Sequence, residues 1–388
     1  MVFSEPVYID DNNMLVPAGV PIRQKDIEKL KAWGISTVKT NGHPSMEESE
    51  KEPEKEKETD PEVPKSLAAK QNQSAIIRSL SSSKDKKSAH QIYISLIEQM
   101  NTVFLSVLKN ENVFDSRMTN AISTSLLQAL KNEPNKFIGF ILGSEIEGYE
   151  MAKSSVNTAV LSALCAKELK LPYHKILNII IGALLHDIGM LRLPKLILEK
   201  KGSLSDIERR LMNSHSLFSQ RIAMKEFGYH DDVGNIVLQH HERWDGGGYP
   251  FHVAGDSIDI GARIVSISDA FEAMVSPKPY RSPIIGYQAM KNLLSDNSRR
   301  FDPELLKVFI MTMGIHPVGS IVQLNNGLIG RISDVRSTAP LRPKIQIIAD
   351  KDKKYLKSDE RDFIDLLTEK NLFIAKALEA KELSELHE

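Results

Sequence analysis

The chain contains two histidine-bearing sequences whose residue types suit metal chemistry. In the first, LLHDIGM, an apolar helical run ends in His186 and Asp187, and Gly189 supplies a helix stop. Both side chains are therefore predicted to lie at a helix end. About one His-Asp pair is expected by chance in a chain with this many of each residue, so the pair alone is a weak signal.

The second sequence is QHHERWDGGGYP, which follows the apolar helical run NIVL. Side chains at adjacent helix positions point roughly 100° apart. One of two adjacent histidines would therefore face the apolar core, unless both act as ligands around a pair of metal ions. The glycine run then requires a tight loop, which Pro250 stiffens. A plain turn is the alternative, but His240 and His241 directly before the loop favour a metal site.

Two more candidate ligands lie on separate predicted helices. His215 occurs in SHSLFSQ, and Asp269 occurs in the apolar helical stretch ARIVSISDAFEAM. Taken alone, each is more often a hydrogen-bonded core residue than a ligand. Together with the two sequences above, they make a mixed set of imidazoles and carboxylates that suits iron, manganese or zinc inside an all-helical domain.

Composition limits what the rest of the chain does. The 388 residues exceed one average domain, and 41% of them are hydrophobic, enough for a sizeable core. The 50 basic and 51 acidic side chains leave a net charge of -1, which argues against bulk nucleic-acid binding. The single cysteine, Cys165, excludes an intramolecular disulfide or a thiolate metal cage and is predicted to be a core residue.

Changes in periodicity divide the chain into segments that position these residues. The N-terminus lacks a secretory pattern and no apolar run reaches membrane-spanning length, which predicts a soluble cytoplasmic protein with no membrane span. Asn326-Gly327 predicts a β-hairpin. The predicted segments are a small N-terminal α+β unit (1–43), a charged disordered linker (44–66), a helical region (67–135), an all-helical domain (136–314), a small β-unit (315–350) and a charged helical tail (351–388).

The sequences HDIGM and HHERWDGGGYP, the Asp269 helix and the KPYR after it resemble the HD-GYP family of cyclic di-GMP phosphodiesterases. This family is an all-helical branch of the HD superfamily of metal-dependent phosphohydrolases. The resemblance covers residues 136–314, and the long pattern HHExxDGxGYP is present in full. It implies a mainly α fold, with an all-helical HD-type domain between a small N-terminal α+β unit and a small C-terminal β-barrel-like unit.

The resemblance also implies a role for each ligand. Asp187 would be the catalytic residue that bridges two metals, with His186 and Asp269 serving one ion and the remaining three histidines the other. The cofactors would be two or three divalent metal ions, and iron or manganese are the expected ones. A hydroxide held between two ions would attack phosphorus and open cyclic di-GMP to linear pGpG, or onward to GMP.

Two positions near the predicted ligands depart from the family pattern. Ser154 stands where the family has a histidine, and a hydroxyl is a much poorer ligand than imidazole. Glu150, one helical turn earlier, matches a glutamate that some members use for a third metal, and a surface glutamate is the alternative. Met190 replaces the phosphate-binding lysine of HDxGK and offers neither charge nor hydrogen-bond donors.

Other side chains are candidates for holding the substrate. Lys278 and Arg281 match phosphate-binding positions of the family and remain basic. Arg192 is close in sequence to Met190, with a solvated surface arginine as the alternative. Tyr249 belongs to the loop that distinguishes the cyclic-dinucleotide branch.

Three functional hypotheses follow. The first is an active cyclic di-GMP phosphodiesterase in bacterial second-messenger signalling. The second is a catalytically impaired domain that acts as a cyclic di-GMP-binding or protein-interaction module, as Ser154 and Met190 suggest. The third is an enzyme for another phosphoester. Cyclic di-GMP is the expected partner, and protein partners and a homodimer stay open.

Overall fold

A computed structural model of the chain divides it into two compact units, Met1–Val63 and Pro64–Glu388. The structure describes residues 2–5, 7–10, 13–16, 22, 27, 37–45, 86–109, 116–143, 148–200, 202–276, 285–295, 299–357, 361–378 and 382.

The N-terminal unit contains short antiparallel strands. They are β1 (Val2–Phe3), β2 (Val7–Asp10), β3 (Asn13–Val16), β4 (Lys39–Thr40) and β5 (Pro44–Ser45). Strand β2 pairs with both β3 and β4, and β1 pairs with β5. The first two residues assigned to the linker are therefore strand, because they pair with Val2 and Phe3. Nearly all of the predicted helix of this unit, and linker residues 46–66, lie outside the described residues.

The second unit begins with helices. Their bounds are α1 (Lys86–Leu108), α2 (Ser116–Asn132), α3 (Pro134–Gly143), α4 (Glu150–Glu168), α5 (Tyr173–Leu185), α6 (Lys195–Leu198), α7 (Asp206–Asn213), α8 (His215–Arg221), α9 (Asp231–Gln239), α10 (Ile260–Val275), α11 (Gly286–Ser295) and α12 (Pro303–Met313). A 3-10 turn, Ile188–Arg192, follows α5, and one π-helical turn, Ile222–Glu226, extends α8.

Helices α4, α5 and α10 form the centre of the helical part. Helix α4 is buried on nearly all sides between Ala152 and Ala166, and α5 and α10 both pack against it. Cys165 lies in this core, as predicted, and burial raises the pKa of its thiol to about 12. A helix buried on all sides needs apolar or hydrogen-bonded residues throughout, which the sequence of α4 supplies.

One helical stretch, Tyr173–Arg192, has the length and hydropathy of a membrane span. From the sequence, no apolar run of that length was predicted. In the fold 61% of its most apolar window is buried, and it comprises α5 and the 3-10 turn at the centre of the helical part. Its apolar character is accounted for by burial in the protein core.

The chain ends in a five-stranded antiparallel sheet. Its strands are β6 (Ile321–Leu324), β7 (Ile329–Asp334), β8 (Lys344–Ala349), β9 (Phe363–Asp365) and β10 (Ile374–Ala377), in the order β10-β6-β7-β8-β9. The hairpin predicted at Asn326-Gly327 is confirmed, with Gly327 at a φ of 89° between β6 and β7.

The helical tail predicted from residue 351 is wrong where the structure describes it. Strand β9 pairs with β8, and strand β10 pairs with β6. The segment is rich in Leu, Glu, Lys and Ala, which favour helix locally, but pairing along the exposed edges of β8 and β6 overrides that preference. The β-unit therefore extends well beyond residue 350.

The sheet and the helices share one hydrophobic core. Val322, Ile332 and Ile345 of the sheet belong to the same buried cluster as the helix residues Phe137 and Phe309. The C-terminal sheet therefore packs directly against the helices.

Candidate metal centre

The local backbone orients three histidines in the same way. His186 caps the C-terminus of α5, His215 begins α8, and His240 caps the C-terminus of α9. The Nδ1 atom of each lies 2.7 Å from the backbone carbonyl oxygen three residues earlier. This contact fixes the tautomer with the proton on Nδ1, so that Nε2 carries the lone pair a metal needs.

Asp187 lies among these Nε2 atoms. Its carboxylate oxygens are 3.4 Å from Nε2 of His186, 3.3 Å from Nε2 of His215 and 3.9 Å from Nε2 of His240. The Nε2 atoms of His215 and His240 are 3.5 Å apart. Among the described residues, one ligand atom each from Asp187, His215, His240 and His241 falls within 4.8 Å of the others.

Asp269 approaches the cluster from α10, where its Oδ1 lies 3.6 Å from Nε2 of His186. The helix is positioned by Asp259, whose side chain accepts hydrogen bonds from the first backbone N–H groups of α10. The structure therefore brings together the six candidate ligands that the sequence singled out, from four different helices and the turns that end them. Four of them form the tight group, and His186 and Asp269 lie beside it.

The donor set fits divalent metal ions. In the part of the chain that the structure describes, Nε2 of His186 is buried without a hydrogen-bond partner, although an unsatisfied buried nitrogen is costly. A metal ion would satisfy it. Four imidazoles and two carboxylates suit iron, manganese or zinc better than the oxygen-preferring Mg²⁺ or Ca²⁺.

The four histidines of the cluster fall into two groups by the direction in which their pKa is shifted. Burial by itself would lower the pKa of His186, but the charges of Asp187 and Asp269 outweigh it and hold the pKa well above the usual value. The pKa of His215 is raised by Asp187 in the same way. Burial and the neighbouring imidazoles lower the pKa of His240 strongly and that of His241 to about 4.

The carboxylates of the cluster are held ionised. Burial acts to raise the pKa of Asp187, but His186 and His215 outweigh it, and the net pKa lies well below the usual value. The pKa of Asp269 is lowered by His186 against the same effect of burial. Two anionic carboxylates beside the neutral imidazoles of His240 and His241 favour a cation, and a metal ion bound there would displace the protons that His186 and His215 share with the carboxylates.

Tyr249 covers one side of the cluster. Its ring centroid is 4.8 Å from that of His241 and 6.2 Å from that of His215. Gly248, the residue before it, packs so tightly that an added Cβ would lie 2.3 Å from the backbone nitrogen of Arg243. Burial, with the charges of Asp187 and Asp269, raises the pKa of Tyr249, so the phenol keeps its proton and can donate a hydrogen bond.

Ser154, which stands where the family pattern has a histidine, and Glu150, one helical turn earlier on α4, lie in different environments. Glu150 is exposed at the start of the helix, and its carboxylate lies 3.2 Å from the ammonium of Lys153. Ser154 donates a hydrogen bond of 2.7 Å to Glu272 of α10. The Ser154 hydroxyl is therefore engaged with a carboxylate on the neighbouring helix.

Glu272 was not singled out from the sequence. Its side chain is fully buried and also accepts hydrogen bonds from Asn157 at 3.2 Å and from Ser276 at 2.6 Å. The signal that could have identified it is a charged residue inside the apolar stretch ARIVSISDAFEAM, one helical turn after Asp269.

The predicted substrate-binding residues are only partly described. Arg192 forms an ion pair of 2.9 Å with Glu226, on the π-helical turn after α8. Lys278 and Arg281 lie outside the described residues.

Comparison with known proteins agrees with this site. Residues 141–305 match the family model described as "HD domain", and residues 321–386 match "KOW domain associated with HD domain". A Pseudomonas aeruginosa protein named as a cyclic di-GMP phosphodiesterase is 31% identical over 60% of this chain and 58% of its own length. The cyclic di-GMP phosphodiesterase PdeB of Borreliella burgdorferi is 30% identical over 59% of this chain and 60% of its own length.

A third relative carries a different substrate in its name. The 3'3'-cGAMP-specific phosphodiesterase 2 of Vibrio cholerae is 34% identical over 32% of this chain and 24% of its own length. The chain thus spans 58% and 60% of the length of the first two relatives and a smaller part of this one. Residues 141–305 are thus similar to HD domains, and the candidate ligand cluster with the HHERWDGGGYP loop beside it supports the resemblance to the HD-GYP family.

Proposed function

We propose that this protein is a metal-dependent phosphodiesterase that hydrolyses cyclic di-GMP to linear pGpG in bacterial second-messenger signalling, with further hydrolysis to GMP as the alternative end point. The observation that carries the proposal is the group of imidazole nitrogens around Asp187 with their lone pairs turned inward. The relatives' names supply the substrate class.

The metal ions would be held by the six residues on α5, α8, α9 and α10 and in the turns that end them. The proposed ligands are His186, Asp187, His215, His240, His241 and Asp269. Iron and manganese are the proposed ions, two in this set, with Glu150 as a candidate ligand for a third. When bound, such ions lower the pKa of water towards neutrality and neutralise charge on a phosphodiester.

The protein's own side chains would orient the substrate. Tyr249 can donate its phenolic proton to a phosphate oxygen or a base beside the cluster, since its pKa is raised. Lys278 and Arg281 remain proposed phosphate ligands on sequence grounds. Arg192 is a weaker candidate, because its guanidinium already pairs with Glu226.

The test is a product assay on the intact protein purified without oxygen, with metal content measured by elemental analysis. We expect about two metal ions per chain, and cyclic di-GMP should be converted to pGpG. Asp187→Asn serves as the inactive control. Wild-type protein that carries metal but leaves cyclic di-GMP uncut, with the Asp187 variant indistinguishable from it, would contradict the proposal.

A second candidate function is a binding module without turnover, and the Ser154 hydrogen bond favours it. Ser154 supplies no imidazole, and its hydroxyl already donates to Glu272, so neither group of this position is directed to a metal. Tight binding of cyclic di-GMP without hydrolysis would support this function. Hydrolysis that appears only in the double variant Ser154→His with Met190→Lys would assign the defect to these two positions.

The dinucleotide itself needs a direct comparison, because one relative is named for 3'3'-cGAMP. Competition between cyclic di-GMP and 3'3'-cGAMP in one reaction, followed by separation of the linear products, measures the ratio of the two kcat/KM values. We expect cyclic di-GMP to be preferred. A preference for 3'3'-cGAMP would leave the proposed phosphodiesterase activity in place and assign it a different substrate.

We place the protein in the cytoplasm, with protein partners in signalling and a homodimer as candidates. In the C-terminal sheet, β9 and β10 are the two edges, so closure into a barrel-like unit would require these edges to approach.

A further inference from the structure

The chain from His241 to Tyr249, here called the tyrosine loop, is fastened at its middle. The backbone N–H of Trp244 donates to the carbonyl oxygen of Arg300 at 2.9 Å, and the Trp244 carbonyl oxygen accepts from the N–H of Gly255 at 3.1 Å. The backbone of Trp244 is therefore bound to the segment before α10 and to the segment before α12.

The indole ring of Trp244 is covered by an arginine of α10. The guanidinium carbon of Arg263 lies 5.5 Å from the ring centroid, within the range of attraction between a cation and an aromatic face. Nε of Arg263 is buried and, within the described ranges, has no hydrogen-bond partner. An unpaired buried nitrogen is costly, so this orientation of the guanidinium depends on the ring and on the bonds that its other nitrogens make.

The same guanidinium binds carboxylates on the two segments that hold the Trp244 backbone. Nη1 of Arg263 donates to Asp256 and to Asp302, at 2.9 Å each. The pair with Asp302 is the protected one, because the Asp302 side chain is 8% exposed and that of Asp256 is 91% exposed. Asp302 also caps α12 by accepting from the backbone N–H of Glu304 at 2.9 Å. One arginine thus joins α10, the start of α12 and the tyrosine loop.

The histidine end of the tyrosine loop has a separate attachment to α10. Oε1 of Gln239, the last residue of α9, accepts from the backbone N–H of Asp259 at 2.7 Å, and Asp259 caps α10. The histidines that follow α9 are therefore held to α10 without Arg263. Beyond them, the loop is fastened through Trp244, which Arg263 covers. Loss of Arg263 should consequently loosen Tyr249 and leave the metal ligands in place.

We propose that Arg263 is a positioning residue that holds the tyrosine loop against α10, so that the Tyr249 phenol keeps the orientation in which it meets the substrate. The assignment rests on the proposed function, in which Tyr249 donates a hydrogen bond to the cyclic dinucleotide. Arg263 acts through Trp244 and the loop without touching the substrate. Such positioning matters because a displacement of about 1 Å in an orienting group can reduce the rate about 100-fold.

The test is a double-mutant cycle between Arg263 and Tyr249 in the intact metal-loaded protein. We expect Arg263→Met and Tyr249→Phe each to lower kcat/KM for cyclic di-GMP about 10- to 100-fold. Because Arg263 acts through the phenol, Arg263→Met should cost less than about threefold in the Tyr249→Phe background. Arg263→Lys keeps a charge for Asp302 without the planar face for Trp244, and it should recover part of the loss.

The matched control is Arg336→Met, which also removes an arginine paired with a carboxylate. Arg336 pairs with Asp365 of β9 at 2.6 Å, in the C-terminal sheet. This variant should leave kcat/KM unchanged. Titration with Mn²⁺ gives a readout that does not need turnover, and Arg263→Met should bind Mn²⁺ like the wild type, because the contact between Gln239 and α10 remains.

The outcomes distinguish positioning of Tyr249 from a purely structural role. Equal losses for Arg263→Met with and without the Tyr249 hydroxyl would overturn the assignment. A loss of Mn²⁺ affinity in Arg263→Met would overturn it as well, since Arg263 would then support the metal ligands themselves. If Arg263→Met does not fold, the same cycle is measured with Arg263→Lys, and additive losses there count against the assignment equally.

Failure of the proposed function gives a different result. A wild type that binds cyclic di-GMP without cleaving it moves the cycle from kcat/KM to Kd, where the same non-additivity is expected. A wild type that neither binds nor cleaves cyclic di-GMP would overturn the proposed function, and the assignment of Arg263 with it.

Discussion

The metal cluster depends on one backbone contact repeated at three histidines. His186, His215 and His240 each place Nδ1 at 2.7 Å from a carbonyl oxygen one helical turn earlier. Each imidazole therefore presents Nε2 in a fixed tautomer without a separate carboxylate partner. The single residue that connects the three is Asp187, whose carboxylate lies within 3.9 Å of every one of these Nε2 atoms.

Replacement of Asp187 by asparagine should remove metal without unfolding the protein. The amide has the same shape but no charge, so the cation loses its central anionic ligand. We expect bound metal to fall to a small fraction of the wild-type content and activity to fall at least about 100-fold, the upper range for perturbing a metal's supporting residues. Elemental analysis and the pGpG assay measure both. Unchanged metal content in this variant would show that Asp187 is not a ligand.

At this scale the sequence was informative where a motif was long. HHERWDGGGYP gave two candidate ligands and Tyr249, and the apolar run before Gly189 predicted His186 and Asp187 at a helix end, where α5 ends at Leu185. The sequence analysis did not single out Glu272. A charged residue inside an apolar helical stretch was the available signal, but only the packed structure shows that Ser154, Asn157 and Ser276 donate to it.

At the scale of elements, Glu272 joins helices that must hold the ligands in register. Its carboxylate on α10 accepts hydrogen bonds from Ser154 and Asn157 of α4, and the hydroxyl of Tyr93 of α1 bonds to Asn157 at 2.5 Å. The network connects α1, α4 and α10 inside the core. Because the polar groups are buried, losing the acceptor leaves donors unsatisfied.

Glu272→Ala should therefore destabilise the protein by about 3 kcal/mol, the cost of leaving more than one buried donor unpaired. Glu272→Gln retains a carbonyl acceptor and should cost about 1 kcal/mol. Urea unfolding measures both values. Glu168→Ala, at the exposed end of α4, is the matched control and should have little effect. Equal stability of the Ala and Gln variants would mean that the hydrogen bonds do not connect the helices.

The turn after α5 is held against α8 by the absence of a side chain at Gly189. A Cβ there would lie 2.1 Å from the carbonyl oxygen of His215 and 2.5 Å from the backbone nitrogen of Ser219. The backbone N–H of Gly189 also donates to the Ser219 hydroxyl at 2.7 Å. This close approach sets the distance between Asp187 on the turn and His215 on the helix.

Gly189→Ala should push the turn away from α8 and weaken metal binding. We expect a loss of about 1 to 3 kcal/mol in the free energy of unfolding, typical of overpacking, and a lower metal affinity in titrations with Mn²⁺. Gly139→Ala on α3 is the control, since an added Cβ meets nothing within 4 Å there. A Gly189 variant that binds Mn²⁺ like the wild type would contradict this geometry.

On the scale of the whole molecule, the sequence predicted the order of helical and β parts, and it failed at the tail. Periodicity is a local property, so LLTEKNLFIAKALEAKEL indicated helix. The structure instead pairs β9 with β8, where Asp365 lies opposite Lys344, and β10 with β6, where Ile374 lies opposite Leu324. Pairing partners so far apart in sequence leave no short-range signal, and for the same reason the shared core of sheet and helices was not foreseen.

His316 lies at the junction of those two parts. It follows α12 and precedes β6, and its ring stacks on Tyr287 of α11 with centroids 4.7 Å apart and planes within 8°. Its Nδ1 is buried and, within the described part of the chain, has no hydrogen-bond partner. Burial lowers the pKa of His316 to about 4, so the folded protein keeps this ring neutral.

The junction should therefore weaken as the pH falls. An unfolded chain protonates His316 near the ordinary value of 6.5, whereas the folded protein does so only near pH 4. Between these values the unfolded state binds the additional proton, so stability is full above pH 6.5 and is lost progressively towards pH 4, by at most about 3 kcal/mol.

His316→Phe keeps the stack on Tyr287 and removes the titration. Its free energy of unfolding in urea should depend less on pH than that of the wild type across this window, whereas His174→Phe, at an exposed histidine of α5, should leave the dependence unchanged. If His316→Phe and wild type lose stability in parallel from pH 6.5 to 4, the junction does not depend on a neutral His316, and other groups account for any acid sensitivity.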